Sequence, residues 1–231
     1  MLGALSGETA VAGLTFGIAG AVWGLGADRI AARWPVHEDL LDEAGAVVRP
    51  GSLVRPIDWR TAATAALAGF SFAALPLRFE DPAALAIFGA FFAALALLLA
   101  TDFDQRLLPD AITLPAIPLA LGVAVGGLNP LVPPEGLPSA LLAAVAVPAF
   151  LFLVSIPFGA GAIGMGDLKL LVTVGLLTGL LRAVTGVVVG ALAAGVVLGL
   201  LLLARRISLK TYVPFGPFLI GGAYWAVLFA G

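Results

Sequence analysis

The sequence predicts an all-α integral membrane protein, a bundle of about eight transmembrane helices forming a single polytopic domain over 1–231. Three observations predict it. Hydrophobic residues make up 61% of the chain and charged residues only 11%, with a mean hydropathy of +1.11, whereas soluble domains carry about 25% charged residues. Apolar runs of about 17–22 residues recur along the chain, the length that crosses roughly 30 Å of hydrocarbon at a helical rise. Lys and Arg gather in alternate gaps between those runs.

The first run, 9–27, carries Gly13, Gly17 and Gly20 at a spacing that lets helix backbones approach closely in lipid. No Lys or Arg occurs from Met1 to Ala27, so a cleaved signal peptide is not expected and this span should remain in the mature protein. The segment 28–60 is the one sizeable polar stretch, with mixed charges, prolines and glycines. It is expected to be a cytoplasmic loop with a short amphipathic helix over 35–46, too short to bury a core of its own. His37, the single histidine, lies there among acids and reads as a solvated residue rather than a metal ligand. Spans follow at 61–78, 83–100, 111–128, 138–158, 168–181, 183–204 and 214–230. Phe88, Phe91 and Phe92 form a packing or lipid-facing stripe in the third, and Gly186, Gly190 and Gly195 repeat the small-residue spacing in the seventh. Arg182 leaves only a brief turn between the sixth and seventh. No internal repeat is evident, so an inverted-repeat transporter gains no support.

The gaps after spans one, three, five and seven hold Arg29, Arg33, Arg49, Arg55 and Arg60, then Arg106, then Lys169, then Arg205, Arg206 and Lys210, whereas the opposite gaps hold only Arg78 and Arg182. By the positive-inside rule the first group faces the cytoplasm and both chain ends lie outside. The gaps bearing Asp102 and Asp167 then share the cytoplasmic face.

Those two gaps carry the acids that need explaining, because a carboxylate beside a membrane span is costly unless paired, solvated or used. In Ala100 to Pro115, ATDFDQRLLPDAITLP, Asp102 follows the apolar run directly and is expected to be partly buried, with Asp104 and Arg106 more exposed. Pro109 favours a break between helices, and Asp110 is open between capping the next helix and contacting substrate. In Ala160 to Leu170, AGAIGMGDLKL, Gly159, Gly161, Gly164 and Gly166 lead into Asp167, whose bland reading is a helix N-cap. Two such acids on one side of a bilayer can converge. A close pair shares a proton, so one member activates water while the other polarises a scissile carbonyl. The chain has no cysteine, which excludes thiolate chemistry and Cys-ligated zinc; a lone loop histidine makes a Ser-His pair implausible, and no metal-ligand cluster is evident. Among hydrolytic mechanisms the paired-acid one remains.

At these residues the chain resembles the type IV prepilin peptidase family of membrane aspartic proteases. The resemblance rests on Asp102 followed by Leu108-Pro109-Asp110 and Thr113, on Gly164-Met165-Gly166-Asp167-Leu168-Lys169, and on Val213-Pro-Phe-Gly-Pro-Phe218. Three motifs in order cover the chain from Ala100 to its end; Gly17, Gly20, Gly24, Arg29 and Pro35 are only loosely similar to the family's N-terminal region. The resemblance implies Asp102 and Asp167 as the catalytic pair, with Gly164, Gly166, Lys169, Asp104, Arg106, Pro109 and Asp110 shaping the site or binding substrate. It implies cleavage of basic leader peptides from prepilins or pseudopilins at the cytoplasmic face of the inner (cytoplasmic) membrane. Longer bacterial members carry two Cys-x-x-Cys pairs resembling a zinc site in their first loop and also methylate the new N-terminus. The cysteine-free 28–60 segment carries no such motif, so no metal is expected. Proteolysis requires no cofactor, and S-adenosylmethionine would be needed only if methyl transfer were retained. The partners implied are the prepilin substrate and the lipid bilayer, with no nucleic acid. The alternative reading is a proton- or cation-coupled membrane transporter using the same acids.

Overall fold

The computed structural model describes residues 7–35, 56–158, 163–206 and 215–230. His37, most of the segment expected to form an amphipathic helix, Gly159, Gly161 and the start of the Val213 motif lie outside the described residues. Those residues form α-helices and short 3-10 turns, and no strand occurs among them. Among the described residues four helical stretches are long and apolar enough to cross a membrane, Gly7–Ala31, Pro82–Gln105, Pro134–Ser155 and Met165–Leu203, as a multi-pass membrane protein requires. The helices fall into two compact units, Met1–Pro109 and Asp110–Gly231.

The first unit contains α1 (Gly7–Ala31), α2 (Trp59–Arg78) and α3 (Pro82–Gln105). Its core pair is α1 against α2, and glycine is the reason they meet so closely. A Cβ on Gly20 would lie 2.7 Å from the Ala68 carbonyl oxygen, and one on Gly24 would lie 2.7 Å from the Ala65 Cα. The small-residue spacing expected to serve packing does so. Asp58 caps α2, accepting the amides of Arg60 and Thr61, and Asp81 with Pro82 starts α3 through the Ala84 amide. Phe88, Phe91 and Phe92 are all buried, and Phe88 stacks on Phe79 with ring centroids 4.8 Å apart, so the aromatic stripe packs inward.

The second unit contains α4 (Asp110–Val125), α5 (Leu137–Ser155), α6 (Met165–Leu203) and α7 (Gly216–Leu228). Pro115 and Pro118 are accommodated inside α4 and Pro148 inside α5. The predicted boundary near Arg182 is corrected: the interruption of α6 is at Gly179, whose φ of 73° and ψ of 176° are open to glycine and strained for other residues. Before it, Gly175 is pressed on Ala143 and Ala144 of α5, and Leu180 donates its amide to the Ser139 hydroxyl near the start of α5. After it, Val184 and Val188 line a groove with Val147 and Phe150, further along α5. The two halves of α6 therefore run in opposite senses along α5, and the described residues make eight helical segments, in keeping with about eight expected spans. Asn129 satisfies backbone freed at the break, donating to the Leu177 carbonyl at 2.7 Å, and Arg182, just after it, donates to the carbonyls of Ala230 and Leu131. Against the second half, α7 packs antiparallel through Gly186, Gly190 and Gly222, whereas Gly195 meets nothing nearby.

Candidate functional site

Asp102 lies in the last turn of α3, in the first unit, and is 4% exposed. The turn exists because Arg106 adopts a left-handed conformation (φ 56°, ψ 38°) and returns its amide to the Asp102 carbonyl at 2.9 Å, ending the helix. A helix end leaves its last carbonyls without intrahelical donors. Here the Phe103 carbonyl receives Arg60 Nη1 at 3.1 Å, and the same nitrogen contacts Asp104 Oδ1 at 3.1 Å. Asp104, expected to be more exposed, is a partly buried member of an ion pair, its side chain only 12% exposed; Arg106 is exposed as expected.

Other side chains complete this end of the unit. Gln105 donates to the carbonyls of Pro35 at 3.0 Å and Ala31 at 3.4 Å, tying the end of α3 to the end of α1. Trp59 meets Phe103 edge-on with centroids 5.2 Å apart. Asp28, fully buried near the end of α1, accepts from the Thr61 hydroxyl at 2.9 Å and has Arg29 at 3.6 Å. Partial desolvation pushes the Asp58 carboxyl up, but the amides of Thr61 and Arg60 and the Arg60 guanidinium outweigh it and hold that carboxyl at about 2.

Asp167 lies in the first turn of α6, in the second unit, and is 9% exposed. Gly164 precedes the helix and has no side chain, so only the reciprocal half of a capping box forms: Asp167 Oδ2 accepts the Gly164 amide at 3.3 Å. A Cβ at Gly164 would stand 3.2 Å from that oxygen, which explains glycine beside the acid. Gly166 is the second residue of the helix. Lys169 places its ammonium 2.6 Å from Asp110 Oδ1, so the first turns of α4 and α6 share one end of this unit. Asp110 is the first residue of α4 and 61% exposed, and its carboxylate takes the Lys169 cation. Pro109 is buried in the link between α3 and α4. Among the described residues no group of three or more His, Asp or Glu side chains could hold a metal ion.

Charge counting read Arg60 only as part of a basic loop and did not find its contacts with Asp104 and Phe103. The Asp58-x-Arg60-Thr61 string is itself a helix-start signature, and reading it as one would have placed Arg60 in the first turn of α2.

A model of the type IV leader peptidase family matches residues 89–204, a stretch that contains both Asp102 and Asp167. A prepilin leader peptidase/N-methyltransferase of Burkholderia pseudomallei (strain 1026b) is 38% identical over 163 residues, covering 68% of this chain and 50% of that protein. The prepilin leader peptidase/N-methyltransferase of Pseudomonas putida is 36% identical over 136 residues, covering 55% of this chain and 44% of that protein. The chain thus spans about half the length of the curated relatives it matches. No solved structure gives a significant match.

Proposed function

The chain belongs to the type IV leader peptidase family, and on that premise we propose that it is a membrane aspartic endopeptidase removing the basic leader from prepilins or pseudopilins. The observation that carries this reading is the burial of two motif carboxylates, Asp102 and Asp167, each in a terminal turn of an apolar helix. Burying acids at such positions is expensive, and catalysis is the use that the family supplies for them.

In the proposed reaction one carboxylate, ionised, accepts a proton from water as that water attacks the scissile carbonyl. The other, protonated, donates a hydrogen bond to the carbonyl oxygen and then assists the departing amine. The substrate is a peptide with a basic leader, a small residue before the cut and an apolar helix after it, presented at the cytoplasmic face.

The relatives' names also include N-methyltransferase. The 28–60 segment contains no cysteine, so the residues present do not fit a Cys-ligated zinc site in that loop, and the proposal concerns proteolysis alone. The test is to express Asp102→Asn and Asp167→Asn with a prepilin in membranes. Each should lose cleavage on the order of 10³-fold, as expected for removing a positioned acid or base, while still inserting. Normal processing by either variant would sink the paired-acid mechanism, and cation or proton flux without cleavage would favour a transporter.

A further inference from the structure

Among the described residues, one side chain links the start of α2 to the end of the first unit that carries Asp102. Arg60, in the first turn of α2, makes three polar contacts: Nε with Asp58 Oδ2 at 3.2 Å, and Nη1 with the Phe103 carbonyl and with Asp104 Oδ1, both at 3.1 Å. The planar guanidinium is itself oriented by Asp58, whose other oxygen is engaged by the first amides of α2. One face of this arrangement fixes the start of α2 and the other fixes the end of α3.

The Phe103 contact distinguishes this group from an ordinary surface ion pair. It grips backbone rather than a mobile side chain, at the carbonyl of the residue that follows Asp102. The acceptor is one of the terminal carbonyls that the helix cannot serve for itself. A cation here also opposes the negative end of the α3 dipole and the Asp104 charge. The Arg60 side chain is 30% exposed and Asp104 only 12%, so the pair is shielded from water on one side.

We propose that Arg60, oriented by Asp58 and braced by Asp104, is the positioning residue for Asp102: it sets the geometry of the α3 terminal turn and so the direction in which the Asp102 carboxyl points. The inference rests on the peptidase reading of Asp102. It gives Asp104, one of the residues implied to shape the site or bind substrate, the part of bracing the catalytic turn.

The test measures kcat and KM separately for the full chain in proteoliposomes, with a synthetic prepilin peptide bearing a lysine-rich leader, a glycine and a phenylalanine-led apolar helix. Arg60→Ala should lower kcat about 10- to 100-fold, the scale of a misplacement near 1 Å, and leave KM within about twofold. Arg60→Lys should recover part of the loss, because a lysine reaches one acceptor but cannot fork across three. Asp104→Asn should lower kcat less than Arg60→Ala, and the double variant should be no slower than Arg60→Ala alone, as for residues acting in one network. All assays run below each variant's melting temperature. If Arg60→Ala does not fold, Arg60→Lys and Asp104→Asn decide, with the loss expected in kcat.

Unchanged kcat in the Arg60 variants, a loss confined to KM, or independent multiplicative losses at Arg60 and Asp104 would overturn the positioning role while leaving the peptidase reading intact. No turnover of the peptide by the parent chain would overturn the peptidase reading, and this inference with it.

Discussion

The helices that carry the two acids are anchored at opposite ends relative to the acid. In α3 the anchorage is at Asp102 itself, where Arg60, Gln105 and Trp59 tie the last turn to α1 and α2. In the first half of α6 the acid end has a local bond from Gly164 and an exposed ion pair to Asp110. Its interior and far end carry the packing of Gly175 on α5 and the Asn129 and Ser139 contacts around the break. Twelve residues separate Asp167 from Gly179, which is about 18 Å of helix. The polar contacts differ accordingly: the turn bearing Asp102 is tied by side chains bonded to backbone of other segments, and the turn bearing Asp167 by a local cap bond and an exposed ion pair.

The largest expected effect comes from dislodging the far anchorage. A Cβ on Gly175 would lie 2.6 Å from the Ala144 amide nitrogen, a backbone atom that cannot move aside. Gly175→Leu should cost about 3 kcal/mol or more in stability, at the upper end for overpacking. Thermal melting in detergent checks this, and an unchanged midpoint would break the comparison by showing that α6 is held elsewhere. Next is Asn129→Ala, which leaves the Leu177 carbonyl and the Leu131 amide without their side-chain partner. It should cost about 1–3 kcal/mol, with cleavage measured below the new midpoint showing whether strain at the break reaches Asp167.

The smallest effect sharpens the other side. Asp58 is held at about 2, below its ordinary value of 3.8, so its carboxylate stabilises the folded state above pH 4 and loses that contribution as pH falls from about 4 to about 2. Asp58→Asn keeps a competent helix cap but cannot titrate, and should flatten that acid limb of the melting profile. At neutral pH the loss should stay below about 1 kcal/mol. An acid limb identical to the parent's would show that Asp58 does not orient Arg60 through its charge.

Sequence reasoning reached those parts of the molecule whose causes are local. Hydrophobic length located the helices to within a few residues, and the spacing of Gly17, Gly20, Gly186 and Gly190 correctly signalled packing. The Gly164-x-Gly166-Asp167 string told of a glycine turn into a helix bearing an acid, because its cap closes over three residues. What escaped was set by distant partners. Arg182 suggested a turn beside itself because a charge is costly among apolar residues, yet its guanidinium is satisfied by carbonyls 48 and 51 residues away, and the chain turns at Gly179 instead. Asp104 looked exposed because its partner, Arg60, lies 44 residues earlier. Pairings of that range leave no periodic trace in a single sequence.

The Arg182 contacts also bear on the order in which the second unit is completed during synthesis. Leu131 emerges before the arginine and Ala230 only after α7, so the guanidinium must wait for α7 to gain its second carbonyl. The α6 hairpin thus emerges with an arginine just past its tip whose hydrogen bonding is unfinished, and docking of α7 supplies the missing acceptor. In this sense α7 acts as a latch, and a variant truncated before it would leave the Arg182 cation without its Ala230 acceptor at the tip of the hairpin.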